Sequence, residues 1–121
     1  MTILQTTYNA DRKEAKTVHP MGPAKERFGG NRDGERVLEI TTSKYEGILK
    51  TNASVFFVHD HGKTHCFGLG SPKDGDFSAT LNRAQCPRAT EKVIRQAHEA
   101  ALAEFDAVLE AATKHYQEAG Q

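Results

Sequence analysis

The last third of the chain constrains its fold more than any other part. Ile94, Ala97, Ala101, Phe105, Val108, Leu109, Ala112 and Tyr116 recur there at steps of three and four. At roughly 100° per residue they fall within about 60° of one line, so the spacing predicts one long amphipathic helix over about 87–119. Pro87 suits a first turn, Thr90 competes as N-cap, and Gly120 suits a stop. The stripe from Ile94 to Tyr116 would run roughly 33 Å at about 1.5 Å per residue. Four strands about 4.8 Å apart make a sheet less than about 20 Å wide. The stripe therefore exceeds the sheet expected upstream of it, and a second copy of the chain is the expected cover.

That upstream sheet is read from β-branched and aromatic runs. Val37 to Thr42 and Tyr45 to Leu49 are separated by Ser43-Lys44, and a bend at Thr51-Asn52 precedes Val55 to Val58. Lys63 to Leu69 and Phe77 to Leu81 follow, the second after the turn-rich 70–75. A two-residue turn at His61-Gly62 would set Val58 opposite His65 and Asp60 opposite Lys63. Phe56 and Val58 then form the core face, and Val55 and Phe57 the outer one. The expected fold class is α+β: an antiparallel meander of three to four strands packed on one long C-terminal helix.

Residues 5 to 36 hold few large apolar side chains beyond Tyr8, Val18, Met21 and Phe28, and they mix charge with Gly and Pro. They read as a flexible polar tail over 1–35, ahead of a single domain over 36–121 with its sheet at about 36–82. The hydrophobic share of 37% allows one modest core. A formal net charge of zero gives no global pull toward nucleic acid or an anionic membrane, so only local patches could bind them. No run approaches a membrane span of about 18 apolar residues, and the N-terminus lacks a signal-peptide pattern. Two cysteines, Cys66 and Cys86, read as free thiols of an intracellular protein, with the cytoplasm as default.

Three constellations could carry chemistry. His59, His61, His65 and Cys66 are suitable zinc ligands, but the hairpin register sends His59 and His65 to opposite faces. Cys86 at a helix start could ionise, although Pro87 removes a backbone donor there. Gly68 to Lys73 resembles a phosphate loop without its spacing or following helix. None is a specific signature, so no catalytic residue and no cofactor is assigned, and the chain reads as a non-enzyme.

The outer face of the helix is more informative. Arg88, Lys92, Arg95, Glu99, Asp106 and Glu110 share one stripe, basic in its first half and acidic in its second. That order opposes the macrodipole of a single helix. It suits a partner surface or antiparallel self-pairing, so these six are the expected partner-binding residues. His98, at the edge of the apolar stripe, reads as a partly buried, hydrogen-bonded histidine rather than a ligand. The leading expectation is a homodimeric protein-interaction module. Nucleic-acid binding through Arg83, Arg88, Lys92, Arg95 and the tail is the alternative, and a metal or thiol enzyme at the histidine-rich hairpin ranks third. An antiparallel sheet followed by a helix also resembles the architecture of some small DNA-binding domains.

Overall fold

The structure, a computed structural model, describes residues 5–25, 33–59, 62–64 and 77–118. It is an α+β fold in which one antiparallel sheet carries two consecutive helices. The strands are β1 (Thr6–Asn9), β2 (Glu14–Lys25), β3 (Asp33–Tyr45), β4 (Ile48–His59), β5 (Gly62–Thr64) and β6 (Ser78–Gln85). β1 to β4 are neighbours in chain order, and β5 and β6 share the outer edge of β4. The helices are α1 (Glu91–Leu102) and α2 (Phe105–Glu118).

The largest departure from expectation lies at the N-terminus. Much of the stretch read as a tail supplies β1 and β2, and β2 pairs with β3 from Glu14↔Ser43 to Lys25↔Asp33. These strands escaped the apolar pattern because β2 turns small or polar residues inward. Ala15 and Thr17 are almost completely buried, and His19 packs edge-on against Phe105 with centroids 5.2 Å apart.

The middle of the sheet corrects two breaks. Ser43-Lys44 and Thr51-Asn52 lie inside β3 and β4, which are joined instead at Glu46-Gly47. Both turn residues are left-handed, with φ of 51° and 78°, as a type I′ hairpin requires. Thr51, half of the expected bend, is buried and bonded to Thr42 at the end of the expected strand, Oγ1 to Oγ1 at 2.7 Å. The core face is also the reverse of the one expected. Leu38, Ile40, Ala53 and Val55 face the helices, whereas Phe56 and Val58 are half-buried on the other side. Val58 pairs with Lys63, not His65, which shifts the expected register by two residues, and the expected Asp60–Lys63 pair lies outside the described residues.

The predicted single helix is two. Thr90 caps α1 by accepting from the Val93 N–H at 3.4 Å, while Pro87 and Arg88 form a turn before it. The break at Ala103-Glu104 holds neither Pro nor Gly, and the Glu104 N–H reaches back only to the Ala101 carbonyl. Helix propensity does not cause it. It lets α1 pack on Ala15 and Leu49 near the β3–β4 turn while α2 packs on Leu38, Ile40, Ala53 and Val55 toward the other end.

The apolar stripe is therefore covered by its own sheet: Ile94, Ala101, Phe105, Val108, Ala112 and Tyr116 are all buried. The two helices cover successive stretches of the sheet, α1 near the β3–β4 turn and α2 toward the other end of the strands. A strand of 13 residues reaches about 43 Å at roughly 3.3 Å per residue. Strand length, not sheet width, sets the cover, so the length of the stripe is no argument for a second copy.

Candidate nucleic-acid interface

The register divides the molecule into two electrically unlike ends. Thr17, Ile40, Ala53 and Ala79 form one row across the sheet, and Lys16, Thr41, Asn52 and Thr80 form the next. His98 spans this boundary from the helix layer, touching Thr17 and Thr42. On the side of the β3–β4 turn, residues 5–16, 41–52 and 80–98 hold nine Lys or Arg against four Asp or Glu. Beyond the boundary, the other described residues hold four against eight. The described residues of a chain of zero net charge thus divide into a basic end and an acidic end, which zero net charge by itself conceals.

The basic end converges from three elements. Lys50 on β4 and Arg83 on β6 are direct cross-strand neighbours, and Ser43 on β3 is the partner of Lys50 on its other side. All three lie on the sheet face turned away from the helices, since the intervening Leu49 and Thr51 are buried beneath them. Tyr45 and Ile48 form the next row on that face, closing the hairpin, and Tyr45 is 73% exposed. The Cys86 N–H donates to the Gly47 carbonyl at 2.7 Å, fastening the β6–α1 connection to the hairpin turn. Arg88 and Lys92, both exposed, follow at that same end.

Like charges directly opposite each other on a sheet repel. Neither Lys50 nor Arg83 makes an ion pair among the described residues. Other cations are engaged. Arg95 bonds Glu91 at 2.7 Å and lies over the Tyr8 ring at 5.1 Å, and Lys16 lies 3.7 Å from Glu39.

The residues singled out in the sequence are thus distributed over several surfaces. Arg83 stands on the sheet face away from Arg88, Lys92 and Arg95. Glu99 lies on α1, and Asp106 and Glu110 are exposed on α2 beyond the break. Asp106 occupies the first turn of its own helix, where a carboxylate is favoured, so the opposition to the macrodipole expected of one helix is absent there. His59 ends β4, while His61, His65 and Cys66 lie outside the described residues. Among the described residues no three His, Cys, Asp or Glu side chains are grouped as metal ligands, and Cys86 is a free, half-buried thiol. No described helix is long and apolar enough to cross a membrane.

His98 is hydrogen-bonded, as its place in the stripe implied, but it is fully rather than partly buried. It is 1% exposed, with Nε2 2.7 Å from Thr17 Oγ1 and Nδ1 2.8 Å from Thr42 Oγ1. Thr6 and Thr51 extend the chain at each end, again at 2.7 Å. A neutral imidazole satisfies this run in either tautomer, because every hydroxyl can reverse direction with it. Burial holds the His98 pKa below its ordinary value of 6.5, opposed by the neighbouring Glu99 carboxylate. This network organises the core rather than a reactive site.

Sequence reasoning missed Ser43, Tyr45 and Lys50. The spacing between Lys50 and Arg83 has no local meaning, and only the strand register makes them neighbours. Comparison with known proteins gives no matching family model, no matching curated relative and no matching solved structure.

Proposed function

We propose that this protein is a non-enzymatic binding module that docks a nucleic-acid backbone on its basic end. The observation that carries the reading is the charge segregation. Nine basic side chains gather at one end of a neutral chain, and two of them, Lys50 and Arg83, face each other in register without an acidic partner among the described residues. A phosphate backbone relieves that repulsion and exchanges bound counterions for protein cations. The acidic end gives the approaching polyanion a preferred orientation.

Fluorescence anisotropy with labelled DNA and RNA, single- and double-stranded, tests this over a range of salt. Affinity should fall steeply with salt, with a log–log slope of about −2 to −3 for three or four phosphate contacts on a single strand. Absence of binding to every probe at low salt refutes the reading.

The same polarity favours a second reading, antiparallel self-pairing of a homodimer in which the basic end of one copy meets the acidic end of another. Arg88 and Lys92 would then face Asp106 and Glu110 of the second copy. Light scattering at tens of micromolar protein should show a dimer that dissociates as salt rises. A strict monomer at low salt removes it.

A further inference from the structure

We propose that the cleft beside the β3–β4 hairpin binds one phosphate of a single-stranded nucleic acid between Lys50 and Arg83 while the adjoining base stacks on Tyr45. The inference rests on the nucleic-acid reading above and narrows it to a substrate class and a site. The cleft has a volume of about 240 Å³ and is lined by Ser43, Tyr45, Glu46, Ile48, Lys50 and Arg83.

Its chemistry is ordered by the pleat. Ser43, Lys50 and Arg83 form one row across three adjacent strands, placing a hydroxyl and two cations on one face. Paired positions on adjacent strands stand about 5 Å apart, close enough for one phosphate to meet both cations. The next row places the Tyr45 ring beside Ile48, a flat apolar surface next to the charged one. At 73% exposed, and with no partner among the described residues, the ring is available to a base.

That pair of rows discriminates between nucleic acids. Stacking on a side chain needs an unpaired base, whose face a duplex hides against its neighbours. Cations alone would accept single strand and duplex alike. Glu46 at the rim sits on the turn beyond Tyr45 and repels phosphate, which directs the backbone to the Lys50–Arg83 side. The hairpin is held by its type I′ turn and by the Gly47–Cys86 hydrogen bond, so the platform is formed before ligand arrives.

Anisotropy titrations of a short labelled oligodeoxythymidine and of a duplex of equal length, with wild type, Tyr45→Ala and Lys50→Ala/Arg83→Ala, test the assignment. Tyr45→Ala should weaken oligodeoxythymidine binding about tenfold, the loss of one base–aromatic stack. Its salt slope and its duplex affinity should stay unchanged. The double variant should lower the salt slope by about 0.7, the loss of the one phosphate contact that the two cations share. It should also remain folded by circular dichroism, since removing either cation relieves repulsion. Unchanged oligodeoxythymidine binding by Tyr45→Ala, in a protein that still binds the oligomer, overturns this site and leaves the broader reading standing. Equal losses for duplex and single strand on Tyr45→Ala also overturn it. Failure of the wild type to bind either probe overturns both.

Discussion

Replacing Thr42 by Val removes one hydroxyl and nearly preserves shape, so its cost isolates the polar chain through the core. The Thr42 hydroxyl bridges His98 Nδ1 at 2.8 Å and Thr51 Oγ1 at 2.7 Å, and all three residues are buried. Thr42→Val deletes two buried hydrogen bonds, each worth about 1 kcal/mol net. It also strands the Nδ1 atom. His98 can take the tautomer that donates from Nε2 to Thr17, which leaves Nδ1 as an unmet acceptor and keeps the extra penalty near the lower end of about 1–3 kcal/mol. The expected loss is about 3 kcal/mol. Thr51→Val, at the end of the chain, deletes one bond and leaves Thr42 still bonded to His98, so it should cost about 1 kcal/mol. In urea melts at neutral pH with a slope of roughly 1.5 kcal/mol/M, the midpoint should fall by about 2 M for Thr42→Val and by less than about 1 M for Thr51→Val. Equal shifts for the two variants, or a Thr42→Val loss below about 0.5 kcal/mol, would refute a cooperative network in favour of independent surface-like hydroxyls.

Other perturbations probe different parts of the fold. The unfolded His98 titrates near 6.5 while burial lowers its folded value, so the unfolded chain binds the proton more tightly and stability must fall as pH drops below about 6.5. Urea midpoints measured downward from pH 8 should show that fall, and His98→Gln should flatten it. A Cβ on Gly34 would collide with the Val58 carbonyl oxygen and lie 2.6 Å from Phe57 Cζ, so Gly34→Ala should cost about 1–3 kcal/mol through sterics. Gly47→Ala meets nothing nearer than Pro87 Cα at 4.0 Å and should lose only the roughly 1–2 kcal/mol of a left-handed residue. Both follow from thermal melts read against wild type. Tyr116→Phe removes the acceptor of the Phe77 N–H at 3.0 Å but keeps the ring under the Arg36 guanidinium, 4.2 Å away, so about 1 kcal/mol is expected in the same assay.

The parts of this fold that were legible in sequence were those in which the core is made of large apolar residues. The helical stripe from Ile94 to Tyr116 is buried along its length, and the β-branched runs around Val37 and Val55 are strands. The illegible parts are those in which polar or small residues do the packing. Thr17, Thr42, Thr51 and His98 are each at most 1% exposed, yet Thr17 reads in sequence as part of a polar tail and Thr51 as part of a bend. Mutual hydrogen bonding permits their burial, and that depends on partners up to 81 positions apart. The β3–β4 turn was missed for a related reason. Glu46-Gly47 lacks the asparagine or aspartate that usually announces a type I′ turn, so Tyr45 to Leu49 reads in sequence as one continuous strand.

Sequence alone determined the helical face, the strand-rich middle, the antiparallel α+β class and the order of charge along the C-terminal third, because each is written in local period or composition. Tertiary structure alone decided the break between the helices, the inward face of β4, the conversion of the expected tail into β1 and β2, and the meeting of Lys50 with Arg83 beside Tyr45. Each of those depends on which strand lies against which, and in what register. Register is set by the sum of many weak side-chain preferences across the sheet, not by any short stretch of the chain.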